Sequence, residues 1–440
     1  MFSLDQHSSL LLHRYERREL EPTLVPEAES ILSTLRTKMK SSDVGKGLLR
    51  FNPQKKSQLL LLLSESCNLG CSYCFMEETN GHKIYMDDRT AIKAIKQYPA
   101  RGIKFFGGEP LMRFDVIKRV VEFANDHYVS ELREKPPEYT VITNGTLIND
   151  EVASFMKENH FYVMVSIDGP RDVTDIQRPA LSGRSTYDMV LEGLASLRKM
   201  GVVFSMQGTY TSNHIRLGYS VRDVIDHLVQ LGAYRAHVEP AFGQSSDGFG
   251  GLYLLSKGQI DEVAREFREL AGLSIESMIS ERPLRVIYVL DAIKTIAFGK
   301  PNAHSCNAGI DNITVDAKGK AYPCYFLMQN ELYMGSVHDA TLMDAPAFRG
   351  TQDKMVGHRR NLIIPCLDCW ARNLCTPCYG YEQASSKTLF ESNPIPYEYC
   401  AVMRAVLEGA ISKLSEIKRH PEKWAKLLCA LDEGSKWVLN

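Results

Sequence analysis

Apolar residues from position 58 onward follow two alternating periods, one typical of strands and the other typical of helices. Apolar runs of strand length are separated by stretches in which apolar residues recur every three to four positions, as on one face of a helix. Repeated strand–helix units predict a parallel sheet with right-handed crossovers. The strand-like runs are 58–64, 102–106, 139–143, 162–167, 202–210 and 234–239. Because about eight units close a barrel, these six predict an α/β fold with an open, partial (β/α)6 barrel, active at the carboxyl ends of its strands.

The segments on either side of these units predict smaller elements. Residues 1–57 contain a helical pattern over 26–39, and we interpret them as an extension that either recognises a peptide or caps the barrel. After the barrel, two helical patterns lead to a β-hairpin that turns at 317–319, and a loop-rich stretch ends in a helix over 398–418. The predicted domains are 1–57, the barrel over 58–285, a loop-rich domain over 286–405 and a helical tail over 406–440.

The composition excludes some classes of protein. Apolar residues make up 44% and charged residues 24% of the chain, and the formal net charge is −1. Such a chain lacks the basic surface of proteins held by nucleic-acid phosphates, and no apolar run is long enough to cross a bilayer. The amino-terminal segment lacks the pattern of a signal peptide. We therefore expect a cytoplasmic globular protein that binds neither nucleic acid nor membranes.

Cysteine is the residue type that points most directly to chemistry. The chain has eleven cysteines, none of them between positions 75 and 305, and in a reducing compartment they predict metal ligands rather than disulfides. Cys67, Cys71 and Cys74 follow the first predicted strand with the spacing C-x3-C-x2-C. Three thiolates leave one iron of a four-iron cluster open to a substrate or cofactor. A structural zinc site, which prefers four closed ligands, and a redox dithiol are the alternatives.

The stretch CNLGCSYCF, residues 67–75, resembles the cluster motif of the radical S-adenosylmethionine (SAM) enzymes. The motifs FFGGEP, TNGT and SIDGP end the second, third and fourth predicted strands and match the family in order, over roughly 58–240. The resemblance implies that a [4Fe-4S] cluster on the three cysteines donates one electron to SAM. Cleavage then yields a 5′-deoxyadenosyl radical, which takes a hydrogen atom from a substrate carbon.

The same resemblance assigns a set of residues to the SAM site. It implies that Glu109, after two glycines, meets the amino group of the SAM methionine, and that Arg178 holds the carboxylate with its guanidinium fork. Aromatic residues on either side of the last cysteine would pack the adenine. The full set is Tyr73, Phe75, Gly107, Gly108, Glu109, Asn144, Ser166, Asp168 and Arg178.

A second group of cysteines lies between positions 306 and 400. Cys306 and Cys324 flank the predicted hairpin, and the stretch CLDCWARNLCTPC, residues 366–378, is followed by Cys400. This arrangement resembles the SPASM extension of peptide-modifying radical SAM enzymes. A pair of zinc knuckles is the alternative reading of the same cysteines.

The SPASM resemblance implies two auxiliary [4Fe-4S] clusters beside the SAM cluster, three in all. One ligand set is Cys366, Cys369, Cys375 and Cys400, and the other is Cys306, Cys324 and Cys378. Seven thiolates leave one iron open, a position that suits a substrate thiolate. The family ends its motif in C-x3-C whereas this chain has C-x2-C, a difference that falls on Cys378. Cys429 has no partner in the pattern and is predicted to be a small buried hydrophobe.

The resemblance leaves more than one reaction open. Anaerobic sulfatase maturases, which oxidise Cys or Ser to formylglycine, have an Asp directly after the cysteine that matches Cys324, whereas this chain has Tyr325. The stretch CWAR, residues 369–372, resembles maturases that install thioether links in ribosomal peptides, and related enzymes form carbon–carbon or ether links. We therefore predict a maturase that cross-links a precursor peptide and takes electrons from a reductant such as flavodoxin or ferredoxin. An iron–sulfur electron carrier or a zinc-binding module is the remaining alternative.

Overall fold

The computed structural model describes residues 56–74, 83–241, 255–280, 283–298, 306–358, 364–375, 378–381 and 397–436. Contacts divide these residues between two compact units, which we call the barrel unit and the helical unit. The barrel unit lies within Asn52–Leu255 and Cys306–His358, and the helical unit within Ser256–Ser305 and Arg359–Val438. Phe75 and the helix predicted over 26–39 lie outside the described residues, and the predicted domain boundaries stay a prediction.

A nine-stranded sheet forms the core of the barrel unit, in the order β6-β5-β4-β3-β2-β1-β7-β8-β9. The strands are β1 (Gln58–Ser64), β2 (Gly102–Gly107), β3 (Glu138–Thr143), β4 (Tyr162–Ser166), β5 (Phe204–Tyr210), β6 (Ala236–Pro240), β7 (Asn312–Val315), β8 (Lys320–Tyr322) and β9 (Gly335–Ser336). Pairing is parallel from β6 through β1 to β7. The predicted partial barrel is therefore confirmed, with each of its six strands within two residues of the predicted bounds.

Helices alternate with the strands of the barrel and then form the helical unit. They are α1 (Asp88–Gln97), α2 (Phe114–Ser130), α3 (Asp150–Glu158), α4 (Arg171–Gln177), α5 (Thr186–Lys199), α6 (Ser212–Arg216), α7 (Val221–Gln230), α8 (Lys257–Ser277), α9 (Ile287–Phe298), α10 (Pro346–Gly357), α11 (Ile364–Leu367), α12 (Tyr397–Lys418) and α13 (Pro421–Lys436), with 3-10 turns at Pro110–Arg113 and Asn330–Leu332. Asp87 and Asn149 begin α1 and α3 because their side chains accept a backbone N–H that the first helical turn leaves free.

Strand β1 is the central strand because its side chains are apolar on both faces. Leu59, Leu61, Leu62 and Leu63 are fully buried and Leu60 is 7% exposed. A continuous apolar run of this kind is typical of a parallel strand that is covered on both sides. The residues that follow β1 therefore leave the middle of the sheet at its carboxyl edge, where the first three cysteines lie.

The predicted hairpin is confirmed, and it extends the barrel sheet. Strands β7 and β8 are antiparallel, and Gly319 takes a φ of 82° in the turn between them, a region that favours glycine. Strand β7 also pairs in parallel with β1, in the register Gln58↔Asn312 to Leu61↔Val315. Cys324, just after β8, is therefore joined to the same sheet as the first three cysteines.

In the helical unit, α8 packs closely against α12. A Cβ atom at Gly409 would lie 2.2 Å from the carbonyl oxygen of Arg268, so the two helix backbones approach each other at that point. The prediction that Cys429 is buried is wrong, because it is exposed on α13. The buried positions of that helix are Leu427 and Leu431, one turn apart, and Cys429 falls on the opposite face. In the described part of the chain, no helix combines the length and apolarity that a membrane crossing requires.

Candidate active site

The three cysteines after β1 form a loop of partly buried free thiols. Burial is the main cause that raises the pKa of Cys67 to about 11 and that of Cys71 to about 12. The neighbouring thiols contribute to both values, so the three side chains lie close together. Among the described residues, no three Cys, His, Asp or Glu side chains converge on a single ion. Ligands of a four-iron cluster bind different irons and are spaced more widely, so this donor set fits a cluster better than a zinc ion.

Backbone hydrogen bonds tie this cysteine loop to the segment that carries Arg178. Gly70 N donates to Pro179 O at 2.8 Å, and Ser72 N donates to Gln177 O at 3.0 Å. Leu181 N donates to the carbonyl oxygen of Asn68 at 3.1 Å. Arg178 is therefore held beside the cysteines by main-chain bonds that do not depend on its own side chain.

The glycine pair after β2 brings this strand against the other end of the cysteine loop. A Cβ atom at Gly107 would lie 2.4 Å from Ser64 O, and one at Gly108 would lie 2.2 Å from Ser66 O. Gly108 N donates to Ser64 O at 2.6 Å, and Glu109 N donates to Ser66 O at 3.0 Å. The close approach that requires glycine here is therefore to the chain just before Cys67, and it places Glu109 beside the loop.

Glu109 is fully buried and links the ends of β2 and β3. Its Oε1 accepts from Leu111 N at 3.0 Å and from the Thr143 hydroxyl at 2.7 Å, and its Oε2 accepts from Asn144 N at 2.7 Å. Burial raises the pKa of Glu109 to about 7, against the opposing effect of these donors. Because a carboxylate offers about four acceptor positions, one position on Oε2 stays open to a further donor.

Asn144 and Ser166 lie at the ends of the next two strands. Asn144 Nδ2 donates to Asn68 Oδ1 at 2.9 Å and lies 3.6 Å from Cys67 Sγ. Ser166 is buried, and its hydroxyl oxygen accepts from Gln207 Nε2 at 3.1 Å. Asn144 therefore contacts the cysteine loop directly, whereas Ser166 is bonded to β5.

Asp168 and Arg178 form a buried ion pair with Tyr73 beside it. Arg178 Nη2 lies 2.9 Å from Asp168 Oδ1, and the Tyr73 hydroxyl donates to Asp168 Oδ2 at 2.6 Å. Burial alone would lower the pKa of Arg178, but the Asp168 carboxylate raises it, so the guanidinium stays charged. Its centre lies 5.5 Å from the Tyr73 ring centroid, a cation–π distance.

The charges around the cysteine loop fit the amino-acid end of SAM. Arg178 Nε is buried without a hydrogen-bond partner among the described residues, which leaves a donor for a ligand carboxylate. Glu109 keeps one acceptor position for a ligand ammonium, and the three thiols supply the ligands of a cluster with an open iron. The residues present therefore fit the cofactor that the sequence motifs predict.

The second cysteine group divides between the two units. Cys366, Cys369, Cys375, Cys378 and Cys400 lie in the helical unit. Burial raises the pKa of Cys400 to about 11, and the nearby Cys369 contributes, so these two thiols are neighbours. Cys306 and Cys324 lie in the barrel unit, and a shared cluster on Cys306, Cys324 and Cys378 stays a prediction.

The surroundings of Cys324 include residues that the motifs did not predict. Phe106, at the end of β2, packs on Tyr325 with 4.5 Å between ring centroids, and Tyr325 packs on Phe326 at the same distance. Lys104, on the same strand as Phe106, is close enough for its charge to lower the pKa of the Cys324 thiol, which burial raises. Side chains alternate between the two faces of a strand, so the sequence of β2 alone could have placed Lys104 and Phe106 on one face.

Two family models match the chain. Residues 61–228 match the Radical SAM superfamily, and residues 306–370 match SPASM, an iron–sulfur cluster-binding domain. These domains imply [4Fe-4S] clusters and SAM as cofactors.

Relatives and a solved structure agree with these matches. The cysteine-type anaerobic sulfatase-maturating enzyme of Clostridium perfringens (strain 13 / Type A) is 26% identical over 66% of this chain and 79% of its own length. The serine-type anaerobic sulfatase-maturating enzyme of Klebsiella aerogenes is 25% identical over 72% of this chain and 78% of its own length. The structure of native anSMEcpe with bound AdoMet and Cp18Cys peptide is 22% identical, has a TM-score of 0.67, and matches over 83% of this chain and 99% of its own. The chain therefore carries a Radical SAM domain over residues 61–228, followed by a SPASM domain over residues 306–370.

Proposed function

We propose that this chain takes a hydrogen atom from a peptide substrate by radical SAM chemistry and installs an intramolecular cross-link. The proposal of SAM chemistry depends on one observation: two side chains of opposite charge lie in segments that are hydrogen-bonded to the cysteine loop. Glu109 is bonded through its N–H to the residue before Cys67, and Arg178 lies in the segment bonded to the residues between the cysteines. Their charges match the ammonium and the carboxylate of an amino acid.

The chain's own residues have separate tasks in this proposal. Arg178 holds the carboxylate of SAM, Glu109 accepts from its amino group, and Cys67, Cys71 and Cys74 hold the cluster. When bound, the reduced cluster would give one electron to SAM, and its cleavage would supply methionine and the 5′-deoxyadenosyl radical that takes hydrogen from a substrate carbon. Burial of Glu109 and Asp168 keeps water away from the charges that orient the ligand.

The peptide class of the substrate is supported by the relatives. Two of them are sulfatase-maturating enzymes by name, and the solved structure contains a bound Cp18Cys peptide. The sequence of this chain is about a quarter identical to those of the two relatives. At this identity we transfer the class of substrate from the relatives to this chain, but not the bond that they form. A polypeptide side chain is therefore the substrate that we assign.

The proposal of a cross-link depends on Tyr325. The sulfatase maturases, which form formylglycine, have an Asp as the proposed base directly after the cysteine that corresponds to Cys324. Tyr325 is packed between two aromatic rings, and its side chain lacks the carboxylate that would act as a general base at this position. A cross-link gives one hydrogen atom to the 5′-deoxyadenosyl radical, and the second hydrogen leaves as a proton and an electron, which an auxiliary cluster would accept.

Formylglycine formation is the second candidate function. It is favoured by the two sulfatase-maturating relatives, which cover about two thirds or more of this chain. The two candidates predict different products. A cross-linked peptide loses two hydrogens per link and has no aldehyde, whereas formylglycine reacts with a hydrazide reagent.

Product analysis separates the two candidates. The reconstituted protein is incubated anaerobically with SAM, a reductant and either a sulfatase-derived Cys peptide or a Cys- or aromatic-rich peptide encoded beside this gene. The expected result is a loss of two hydrogens from the latter peptide and no hydrazide adduct. In its tandem mass spectrum, fragment ions from the segment between the two linked residues are expected to be missing. A hydrazide adduct on either peptide would instead assign formylglycine formation.

The number of clusters and the electron source belong to the same proposal. Seven of the eight cysteines beyond the first three support two auxiliary clusters, which makes about twelve irons per chain. A small one-electron protein such as flavodoxin or ferredoxin is the proposed reductant. Dithionite replaces it in the assay above, so the product test does not depend on identifying the physiological donor.

A further inference from the structure

Asp168 is the centre of a polar network that is closed to solvent. The residue is 0% exposed. Its Oδ1 accepts from Thr209 N at 2.9 Å and pairs with Arg178 Nη2 at 2.9 Å. Its Oδ2 accepts from the Tyr73 hydroxyl at 2.6 Å and from Gln177 Nε2 at 3.1 Å. These four partners use the four acceptor positions of a carboxylate, so none is left for a ligand.

His214, at the start of α6, holds the backbone of the same residue. Its Nε2 lies 2.7 Å from Asp168 O, and its Nδ1 accepts from Thr211 N at 3.0 Å. Since Nδ1 is an acceptor, the proton of the neutral ring is on Nε2, which donates to Asp168 O. The ring is fully buried and stacks on Tyr210 with 4.5 Å between centroids, which fixes its plane.

Thr211 orients a further partner of Asp168. Its hydroxyl donates to Gln177 Oε1, so the amide of Gln177 must present its NH2 group to Asp168 Oδ2. Gln177 and Thr211 are both fully buried. The segment from Thr209 to His214 therefore contacts Asp168 in three ways. Thr209 bonds its carboxylate, His214 bonds its backbone carbonyl, and Thr211 orients the Gln177 amide that bonds its carboxylate.

The close fit between β5 and the end of β4 leaves little freedom in this network. A Cβ atom at Gly208 would lie 2.7 Å from Ile167 O and 3.2 Å from the Cα of Asp168. The two strands meet there without an intervening side chain, so a shift of the segment after β5 is transmitted to Asp168. Arg178, which is paired to Asp168, would then change its orientation relative to the cysteine loop.

We propose that His214 is a positioning residue for the carboxylate of SAM, acting through Asp168 on Arg178, and that Asp168 itself does not contact the cofactor. The inference rests on the proposed role of Arg178 in holding that carboxylate. The saturated Asp168 carboxylate fixes one edge of the guanidinium, and the unpaired Nε leaves another edge for the ligand. The side chains that fix Asp168 thereby fix the direction in which Arg178 donates.

Two ligands that differ only in the amino-acid end test this inference. S-adenosylhomocysteine has the carboxylate, whereas 5′-methylthioadenosine has the same adenosine and thioether without it. The affinities of the anaerobically reconstituted protein for both are measured by equilibrium dialysis. His214→Phe, which keeps a stacked ring but loses both nitrogens, is expected to bind S-adenosylhomocysteine about tenfold more weakly and 5′-methylthioadenosine unchanged.

His214→Gln is the matched variant, because its amide nitrogen reaches the position of the imidazole Nε2 and donates to Asp168 O. Its affinity for S-adenosylhomocysteine is expected to stay within about threefold of that of the unmodified protein. Equal weakening of both ligands in His214→Phe would show general damage to the pocket and overturn the inference. An unchanged affinity for both ligands would overturn it as well.

Arg178→Gln separates failure of the inference from failure of the proposed function. This variant is expected to bind S-adenosylhomocysteine about thirtyfold more weakly, with 5′-methylthioadenosine unaffected. If Arg178→Gln has no effect, the proposed role of Arg178 fails. If Arg178→Gln weakens binding while His214→Phe does not, only the positioning role of His214 fails.

Discussion

Glu109 is a buried carboxyl whose charge depends on pH in the neutral range. Burial raises its pKa to about 7, so the carboxylate is lost as the pH falls through that value. Because the charged form attracts a ligand ammonium, we expect the affinity for S-adenosylhomocysteine to fall about tenfold per pH unit below about pH 7 and to level off above it. Equilibrium dialysis between about pH 5.5 and pH 8 measures this dependence.

Glu109→Gln is the control for that dependence. It is expected to bind weakly at every pH with a flat profile, and 5′-methylthioadenosine, which lacks the amino group, is expected to give a flat profile with the unmodified protein. A flat profile of the unmodified protein with S-adenosylhomocysteine would show that Glu109 does not bind the ammonium.

Gly108 tests the contact between β2 and the cysteine loop. Because a Cβ atom there would lie 2.2 Å from Ser66 O, Gly108→Ala must displace the chain just before Cys67. We expect this variant to lose the first cluster, with about four fewer irons per chain on metal analysis. Gly70→Ala, between the cysteines, is the control, since its Cβ atom would be 3.5 Å from Leu181 and clash-free. Equal iron content in the two variants would contradict the prediction.

The residues of the site differ in how far the sequence predicted them. The cysteines, Glu109 and Arg178 lie in short motifs whose spacing is local, so they were accessible from the sequence. Thr209 and His214 contact Asp168 across about forty positions of chain, and only the pairing of β5 with β4 brings them there. No local pattern encodes such a contact, so this part of the site required the structure.

At the scale of elements, the contact between α8 and α12 depends on a glycine. A Cβ atom at Gly409 would lie 2.2 Å from Arg268 O and 3.0 Å from the Cβ of Ala271. We expect Gly409→Ala to push the helices apart and destabilise the protein by about 1–3 kcal/mol, measured by denaturant unfolding.

Gly272, in α8, supplies the matched substitution. A Cβ atom at Gly272 would meet only the end of the Lys413 side chain, at 3.9 Å. Since alanine favours the helix, Gly272→Ala is expected to stabilise the protein by about 0.5–1 kcal/mol. Destabilisation by both substitutions would mean that the close approach at Gly409 is not the cause.

The strands of the barrel were predictable because each is an apolar run bounded by polar turns. The hairpin of β7 and β8 was predictable from its turn, but its parallel pairing with β1 was not. Strand pairing between distant segments depends on which edge of the sheet is free, and periodicity does not record this. For the same reason, the hydrogen bonds between the cysteine loop and the segment around Arg178 could not be predicted from the sequence.

At the scale of the whole molecule, the described SAM-site residues all fall in the barrel unit, and five of the seven cysteines predicted as auxiliary-cluster ligands fall in the helical unit. The first cluster and the predicted cluster on Cys366, Cys369, Cys375 and Cys400 therefore depend on different parts of the fold. Substitution of the first three cysteines is expected to lower the iron content from about twelve to about eight per chain without loss of the remaining clusters.

5′-Deoxyadenosine is the product that reports SAM cleavage most directly. The anaerobically reconstituted protein is reduced with dithionite in the presence of SAM, and the nucleoside is quantified by chromatography. We expect 5′-deoxyadenosine from the unmodified protein and none from the variant in which Cys67, Cys71 and Cys74 are all replaced by Ala, although that variant keeps its remaining irons. Continued 5′-deoxyadenosine formation by this variant, or bound zinc with little iron in the unmodified protein, would contradict a radical SAM site at these cysteines.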